Sequence, residues 1–505
     1  MLAFLEHPRL RGGVHAEPHK DTGKLPIAHH MPLPKKLYIP VQQHVGKPAE
    51  PLVKVGDKTL KGQLLAYSQG TISAPIHAPS SGTVIDVMDY PAPHPSALPI
   101  RTIIIETDGL EQWTQLNPAE DPMQLDAEEI CLRVGAAGVV GLGGAVFPSA
   151  VKLNLGRKNQ IHTLLINAGE CEPYLTCDDR LMQEHAREIV IGIRLMLRGM
   201  QANTAIVGIE DNKPEAYQAM LAACIGHKEI TIQQVPTRYP MGWDRQLLRY
   251  LTGWEIPADG RATDIGVVVH NVATAYAVYR AVALGQPLIS RVVTVAGSAV
   301  DHPQNVEVLI GTLMSDVLQF CQTRRSQIAR LIMGGPMMGD ALPMMEVPVV
   351  KACNGLIALS EQDIEESEAQ ACIRCSQCVE ACPVGLLPLE MASRIKANQL
   401  EAAVDFGLKD CINCGSCSYV CPSHIPLVHY FKFAAGELFK RQQKDHKSEQ
   451  TKRLINDRNQ RIERVRLEAE AEAQRVAEAR AARAREMAEA KTAAAVQPND
   501  SEASS

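Results

Sequence analysis

Two copies of one cysteine spacing constrain this chain more than anything else in it. Residues 372–383 read Cys372-Ile-Arg-Cys375-Ser-Gln-Cys378-Val-Glu-Ala-Cys382-Pro383, and residues 411–422 read Cys411-Ile-Asn-Cys414-Gly-Ser-Cys417-Ser-Tyr-Val-Cys421-Pro422. Each is a full C-x2-C-x2-C-x3-C-P run, in which three thiolates hold one [4Fe–4S] cluster and the fourth ligates the other cluster. The spacing therefore predicts two [4Fe–4S] clusters with crossed ligands. Cys372, Cys375, Cys378 and Cys421 are expected on one, and Cys411, Cys414, Cys417 and Cys382 on the second. Each closing proline turns the chain away from the metal, because it fixes φ and lacks an N–H.

Two other readings of these cysteines compete less well. Structural zinc pairs two C-x2-C knuckles and has no use for a third and fourth thiolate in strict register, twice over. A disulfide framework fits a small secreted domain, and these cysteines are crowded too tightly to bridge one another. The iron–sulfur reading implies electron transfer, in a reducing compartment such as the cytoplasm.

A chain of 505 residues is expected to hold three or four domains. Residues 1–11 have an apolar stretch of only a few residues with no charged region before it, so no signal peptide is expected. No run reaches the roughly 18 uncharged apolar residues that span a bilayer. The nearest, 265–284, is interrupted by His270, Asn271 and Arg280. Any membrane association is then peripheral. The net charge of −6 is unevenly spread: residues 440–491 carry 15 basic and 10 acidic side chains. That asymmetry suits an acidic partner or lipid surface, or simply a solvated helix. No nucleic acid is expected among the partners.

Along the chain, residues 1–36 are rich in Pro, His and Lys without a hydrophobic period and read as an extended lead-in. Residues 37–109 alternate short strands with glycines and resemble a biotinyl/lipoyl-type barrel-sandwich, but the turn at 67–72 lacks the carrier lysine of that family. His77 and His94 read as loop residues. Asp126 is an N-cap followed by acidic first-turn residues and an apolar stripe, so a helix starts there. It leads into a glycine-rich loop, 135–148, and then to a strand, 163–167, ending in Asn167-Ala-Gly-Glu170-Cys171-Glu172-Pro173. A glycine loop beside carboxylates at a strand end suggests a site at the carboxyl edge of an α/β sheet.

The motifs Gly141-Leu-Gly-Gly-Ala-Val-Phe-Pro148, Asn167-Ala-Gly-Glu-Cys-Glu-Pro173, Asp179-Arg180-Leu-Met182 and Asn271-Val-Ala-Thr274 resemble, in order, the FMN- and NADH-binding motifs of the respiratory complex I flavoprotein subunit. They resemble more closely the C-subunit family of the Rnf/Rsx ion-translocating electron-transport complex, which shares the barrel-sandwich and the paired cysteine runs over residues 10–435. The resemblance implies a multidomain α/β and α+β fold. Its parts are the barrel-sandwich at 37–109, an FMN/NADH-binding α/β domain at 126–285, a ubiquitin-like ligand-binding domain at 286–350 and a bacterial ferredoxin-like double-cluster helical domain at 365–435. A charged helical or disordered tail follows at 440–505.

The resemblance also implies roles. Gly141, Gly143 and Gly144 would let backbone approach FMN, Lys152 would pair with its phosphate, and Asn167 would hydrogen-bond the flavin. Glu170 and Glu172, the candidate catalytic carboxylates, would meet flavin or nicotinamide-ribose hydroxyls. Phe147 would stack on the adenine of NAD(H), and Asn271 and Thr274 would complete the pocket. Val146 stands where the family has glycine, Gly169 where complex I has aspartate, and Ala273 where it has glutamate. In 239–244 a Trp, Trp243, replaces the first carboxylate of Tyr-x-x-Gly-Glu-Glu. Methionines 333, 337, 338, 344 and 345 read as core filler, and Cys131, Cys171, Cys177, Cys224, Cys321 and Cys353 as unligated, with Cys353 on a linker.

The expected function is a peripheral subunit at the cytoplasmic face of the bacterial inner membrane. It would pass electrons between NAD(H) and membrane-embedded and ferredoxin-like subunits, which would move the ion. Two rivals share the scaffold: a soluble flavin/iron–sulfur reductase resembling corrinoid reductases, and a flavin-less iron–sulfur relay.

Overall fold

The computed structural model describes residues 10–159, 161–257, 260–364 and 367–494. The chain forms two compact units, Met1–Phe431 and Lys432–Ser505.

The first unit opens with the segment from residue 10, which is pinned rather than free. Val14 and Tyr239 exchange backbone hydrogen bonds, the Gly13 N–H donates to Ala381 O at 2.8 Å, and Ala28 bridges Val306. Two antiparallel sheets follow. Strands β1 (Lys36–Pro40), β3 (Lys58–Thr59), β6 (Gly82–Pro91) and β7 (Pro99–Thr107) make one in the order β1-β7-β6-β3, and β2 (Glu50–Pro51), β4 (Leu64–Tyr67) and β5 (Ile76–His77) make the other. Both contribute to one apolar core containing Leu37, Ile39, Leu65, Ile76, Val84, Ile103 and Ile105. Leu37 and Ile39 share a face because strand side chains alternate. His77, expected in a loop, is instead buried on β5, where the sheet needs a strand residue.

Helices α1 (Ala127–Ala136) and α2 (Ser149–Lys158) lead into a parallel sheet of β8 (Thr163–Ala168), β9 (Thr204–Glu210), β10 (Ile230–Val235) and β11 (Val267–Asn271), in the order β10-β9-β8-β11. The Asp126 side chain caps α1 by accepting from the Glu129 N–H at 2.8 Å. Helices α3 (Cys177–Met200), α4 (Pro214–Ala223), α5 (Asp244–Thr252) and α6 (Val272–Ala283) link and cover the strands. Strand β8 is apolar on both sides, as a buried parallel strand must be. Leu164 and Ile166 join the core with α3 and α6, while Leu165 packs with Leu247, Leu248 and Leu251 of α5. The chain steps from β8 to β9 to β10 and then returns to the far side of β8 with β11. The strand order therefore reverses between β8 and β11, the place where open α/β sheets bind ligands.

A mixed sheet follows in the order β13-β12-β16-β14-β15, from β12 (Ser290–Ala296), β13 (Gln304–Leu309), β14 (Arg330–Met333), β15 (Asp340–Leu342) and β16 (Gly355–Leu359), with α7 (Met314–Phe320) against it. Its central strand β16 lies beyond residue 350, the expected end of this domain. Cys353, expected on a linker, is consequently buried in the sheet's core. Of the five methionines read as filler, Met333 and Met345 pack on that core, whereas Met338 and Met344 are exposed.

The cysteine runs sit on short helices: α8 (Gln377–Glu380), α9 (Pro388–Lys396), α10 (Leu400–Asp405) and α11 (Ser416–Tyr419), with the start of α12 (Leu427–Ala494). In the second unit α12 continues as a helix built from Ala, Glu, Arg and Lys, strong helix formers, and Leu454, Ile462, Val465 and Val476 stand exposed along it. Residues 495–505, part of the expected tail, lie outside the described residues. Among the described residues, no helix is long and apolar enough to cross a membrane.

Candidate functional site at the sheet reversal and the cysteine runs

Asn167 is the last residue but one of β8 and Asn271 the last of β11, and the two are direct register partners in the parallel pair. The Asn167 amide donates to Gly242 O at 2.7 Å and its Oδ1 accepts from the Gly169 N–H at 3.0 Å. Asn271 caps α6 through the Ala273 N–H at 2.9 Å and donates to Asp178 Oδ2 at 2.6 Å. Burial, then Glu170, pushes Asp178 up to about 7. Thr274, fully buried, accepts the Leu142 N–H at 3.0 Å and so fastens the glycine loop to α6. The Gly141 N–H meets Phe147 O at 2.9 Å, closing the loop.

Within that loop Gly143 and Gly144 are exposed, and Gly144 has φ +101 with nothing within 4 Å of the place a Cβ would take. This open, left-handed glycine above the strand ends is a cradle that a planar cofactor can approach. Val146 also lies in the left-handed region, at φ 41. A β-branched residue is strained there, at the position where the resembled families carry glycine. Lys152 donates to Val269 O at 2.9 Å on β11, and burial lowers its pKa. Phe147 is half-buried at the loop's end.

The two candidate carboxylates are differently occupied from the roles expected of them. Glu170 is buried, and its oxygens accept from the Asp178 N–H at 2.9 Å, Cys177 Sγ at 3.3 Å and Lys213 Nζ at 2.8 Å. Its carboxylate thus receives the N–H groups of the first turn of α3, where a negative charge meets the positive helix end. Burial opposes its ionisation, but Lys213 and Lys20 outweigh that and keep its pKa low. Glu172 is engaged by the mixed sheet's domain, accepting the N–H groups of Met337 at 3.0 Å and Met338 at 2.8 Å. Burial pushes it up to about 7 against those two donors. Gly335 is required beside it, since a Cβ there would lie 2.4 Å from Glu172 Oε2.

Sequence reasoning missed the lysines that hold this region. Lys20 Nζ donates to the carbonyls of Glu170, Glu172 and Leu175 at 2.8, 2.7 and 2.6 Å, and so shapes the whole turn after β8. Lys213, fully buried, lies between Glu170 and Glu210. Both lysines are remote in sequence from the turn, and no local pattern announces them.

The eight run cysteines gather in two groups of four. Cys372, Cys375, Cys378 and Cys421 line one cavity, and Cys382, Cys411, Cys414 and Cys417 line another. The two runs repeat one backbone pattern: Arg374 and Asn413, and Ser376 and Gly415, all have positive φ. In the first of these turns the Arg374 N–H points toward Cys372 Sγ at 3.4 Å, and just after the run the Leu386 N–H points toward Cys382 Sγ at 3.3 Å. Sulfur-directed donors around four convergent thiols suit a cluster's acceptor sulfurs. The one-per-group crossing of Cys421 and Cys382 has no simple zinc counterpart.

Tyr239 joins the two regions. Its hydroxyl donates to Cys414 O at 2.5 Å, while Gly242, three residues on, accepts from Asn167.

Comparison with known families gives four matches: the RnfC barrel sandwich hybrid domain over residues 8–110, the Nuo51 FMN-binding domain over 134–280, the SLBB domain over 292–341 and a 4Fe-4S dicluster domain over 371–425. Among whole proteins, the C-subunit of the ion-translocating oxidoreductase complex of Rhodobacter capsulatus is 47% identical over 451 residues, covering 88% of this chain and 87% of that one. Its counterpart from Pseudomonas aeruginosa is 44% identical over 454 residues, covering 90% of this chain and 58% of that one. A solved NAD+-reducing [NiFe]-hydrogenase aligns over 60% of this chain and 61% of its own at a TM-score of 0.44 and 19% identity, too remote to carry an argument.

Proposed function

Since the chain belongs to the C-subunit family of ion-translocating oxidoreductase complexes, we propose that it exchanges electrons between NAD(H) and its partner subunits through one FMN and two [4Fe–4S] clusters. Its FMN-binding and 4Fe-4S dicluster domains make it an electron-transfer subunit of an oxidoreductase complex. The partners in this reading are membrane-embedded and ferredoxin-like subunits, and the location is the cytoplasmic face of the inner membrane, held peripherally. The absence of a spanning helix among the described residues is compatible with that.

One observation carries the reading: a segment of four residues, 239–242, touches Asn167 at one end and Cys414 at the other. The flavin cradle and one cysteine quartet thus share a wall. FMN, when bound, accepts a hydride from a nicotinamide and returns the electrons singly, which lets a two-electron donor serve one-electron centres. The chain supplies position. Gly144 leaves the approach open, Gly143 lets the loop pass close against Asn271, Thr274 fixes the loop, and Asn167 and Asn271 set the two strand ends at one level. Their amides present N–H and carbonyl groups that suit a flavin's polar edge. Lys152 is the cation nearest in role to a phosphate partner, and Phe147 is the aromatic available for an adenine.

Glu170 acts here as a positioning residue, because Lys213 and the start of α3 take up its oxygens. Glu172 would reach a nicotinamide ribose only by releasing Met337 and Met338. Crossed quartets support Cys372, Cys375, Cys378 and Cys421 on one cluster and Cys382, Cys411, Cys414 and Cys417 on the other.

Cofactor analysis of the purified chain tests this. One FMN by fluorescence, with eight iron and eight acid-labile sulfide, is expected, as two [4Fe–4S] clusters require. Iron without flavin would leave the relay reading in its place, and zinc without iron would end both.

A further inference from the structure

The two cysteine quartets differ in what surrounds them. Three segments from other domains, the lead-in, the flavin-binding domain and the mixed sheet's domain, touch the quartet of Cys382, Cys411, Cys414 and Cys417. The Gly13 N–H donates to Ala381 O beside Cys382, and Tyr239 donates to Cys414 O. Met337, held by Glu172, lies with its carbonyl 3.2 Å from where a Cβ on Gly415 would sit. Cys414 and Cys417 are each only 7% exposed. Around the other quartet, Cys372 and Cys375 are exposed, and Ile373 between them is 69% exposed. The charged residues lining its cavity are Arg374 and Lys396, both basic and both exposed. Helix α8 holds Cys378 of the outer group and ends just before Cys382 of the inner one, and α11 holds Cys417 and ends just before Cys421. The inner and outer groups are neighbours through these two short helices.

From this we propose that the surface over Cys372, Ile373, Arg374 and Cys375, with Lys396, is the docking face for a one-electron redox protein with an acidic surface. Two groups support that occupant. Two thiols of the outer quartet reach the surface, so a partner seated there lies against the ligands themselves. The basic side chains flanking them attract carboxylates and orient the encounter, at little cost in a rim exposed to water. The inner quartet is packed by Tyr239, Met337 and the lead-in segment on the side of the flavin cradle instead, and of its thiols Cys411 reaches a groove whose far wall is the lead-in and α5. This rests on the functional reading above and adds to it an order and a partner. In each docking event one electron leaves the chain and reduces the partner's centre by one. No proton crosses the interface. NADH, giving two electrons and releasing one proton, serves two such events.

The test uses the full-length holoprotein and does not depend on NADH. Protein reduced with dithionite and desalted is examined by electron paramagnetic resonance with and without a soluble dysprosium chelate as a relaxation probe. Cys372→Ser and Cys414→Ser identify the signals by their loss. The outer-quartet signal is expected to relax faster with the chelate, and the inner one to change little. The reverse pattern overturns the order. Transfer from the same reduced protein to an acidic bacterial ferredoxin is then followed by stopped flow. Arg374→Glu with Lys396→Glu is expected to slow it about tenfold at low salt and to remove its salt dependence. Arg374→Lys with Lys396→Arg should keep both as they are in the unaltered chain. A charge-reversed rate equal to that of the unaltered chain overturns the docking face. If instead NADH fails to reduce any centre while these two results hold, the nicotinamide reading is at fault and the surface assignment stands.

Discussion

The hydroxyl of Tyr239 donates to the main-chain carbonyl of Cys414 at 2.5 Å, and both residues are buried, Tyr239 at 3% and Cys414 at 7% exposure. A contact between residues 175 apart in sequence thus fixes one cysteine quartet against the flavin-binding domain. Tyr239→Phe keeps the ring and removes only the donor, leaving a buried carbonyl short of a partner. It is expected to lower stability by about 1 kcal/mol and to alter the spectrum or potential of the centre bound by Cys414, with iron content unchanged. An unchanged potential, measured by redox titration, would confine the bond to folding.

Glu170 and Lys213 form a buried ion pair at 2.8 Å, with side chains 4% and 2% exposed. Glu170→Gln leaves the lysine's charge buried with weaker compensation, and the loss expected is about 3 kcal/mol or more. Urea unfolding checks it. A loss under about 1 kcal/mol, the range of an exposed pair, would contradict the burial argument.

The glycine loop gives opposite expectations at two positions. Gly144→Val forces a branched side chain onto φ +101, so the protein should purify with both clusters and without FMN. Val146→Gly relieves a strained φ of 41. The relief is about 1–2 kcal/mol, offset by about 0.5–1 kcal/mol of chain entropy, so a net gain of about 0–1.5 kcal/mol is expected with FMN retained. Flavin retained by Gly144→Val, or lost by Val146→Gly, would show that the loop does not hold the cofactor.

Stability should also fall with rising pH across a defined window. Burial raises both Glu172 and Asp178 to about 7. Between the ordinary carboxylate range, about 4, and about pH 7, the folded chain holds protons that the unfolded chain has lost. Their contribution to stability therefore decreases as pH rises through that window and flattens above it. Denaturant midpoints from pH 5 to 8 measure the slope. Glu172→Gln together with Asp178→Asn should flatten it, and a slope of the same size in the double variant would assign it to other groups.

Much of this was legible in the sequence, for physical reasons that differ by element. Three of the four cysteines in each group lie a few residues apart in sequence, so the runs declare themselves locally. Asn167, Asn271 and Thr274 fall at strand and helix ends inside recognisable motifs, and they do meet at one sheet edge. The fold class follows from the same patterns. Glu172 was legible as a carboxylate beside the cradle, but its partners, Met337 and Met338, are 165 and 166 residues away. Lys20 and Lys213 act wholly through tertiary contacts, so neither stands out by spacing. Strand β16 was lost because five residues, Gly355–Leu359, make too short an apolar run to distinguish from a linker.

Anaerobic addition of NADH to the purified chain, followed together by flavin absorbance and electron paramagnetic resonance, shows whether electrons enter at the cradle and pass to the cysteine-bound centres. The flavin is expected to bleach, with iron–sulfur signals appearing in the same preparation. In Cys414→Ser the bleaching should persist, while the remaining cluster is reduced far more slowly. If the iron–sulfur centres are reducible by dithionite but NADH leaves both them and a bound flavin oxidised, electrons do not enter this chain from a nicotinamide at the cradle.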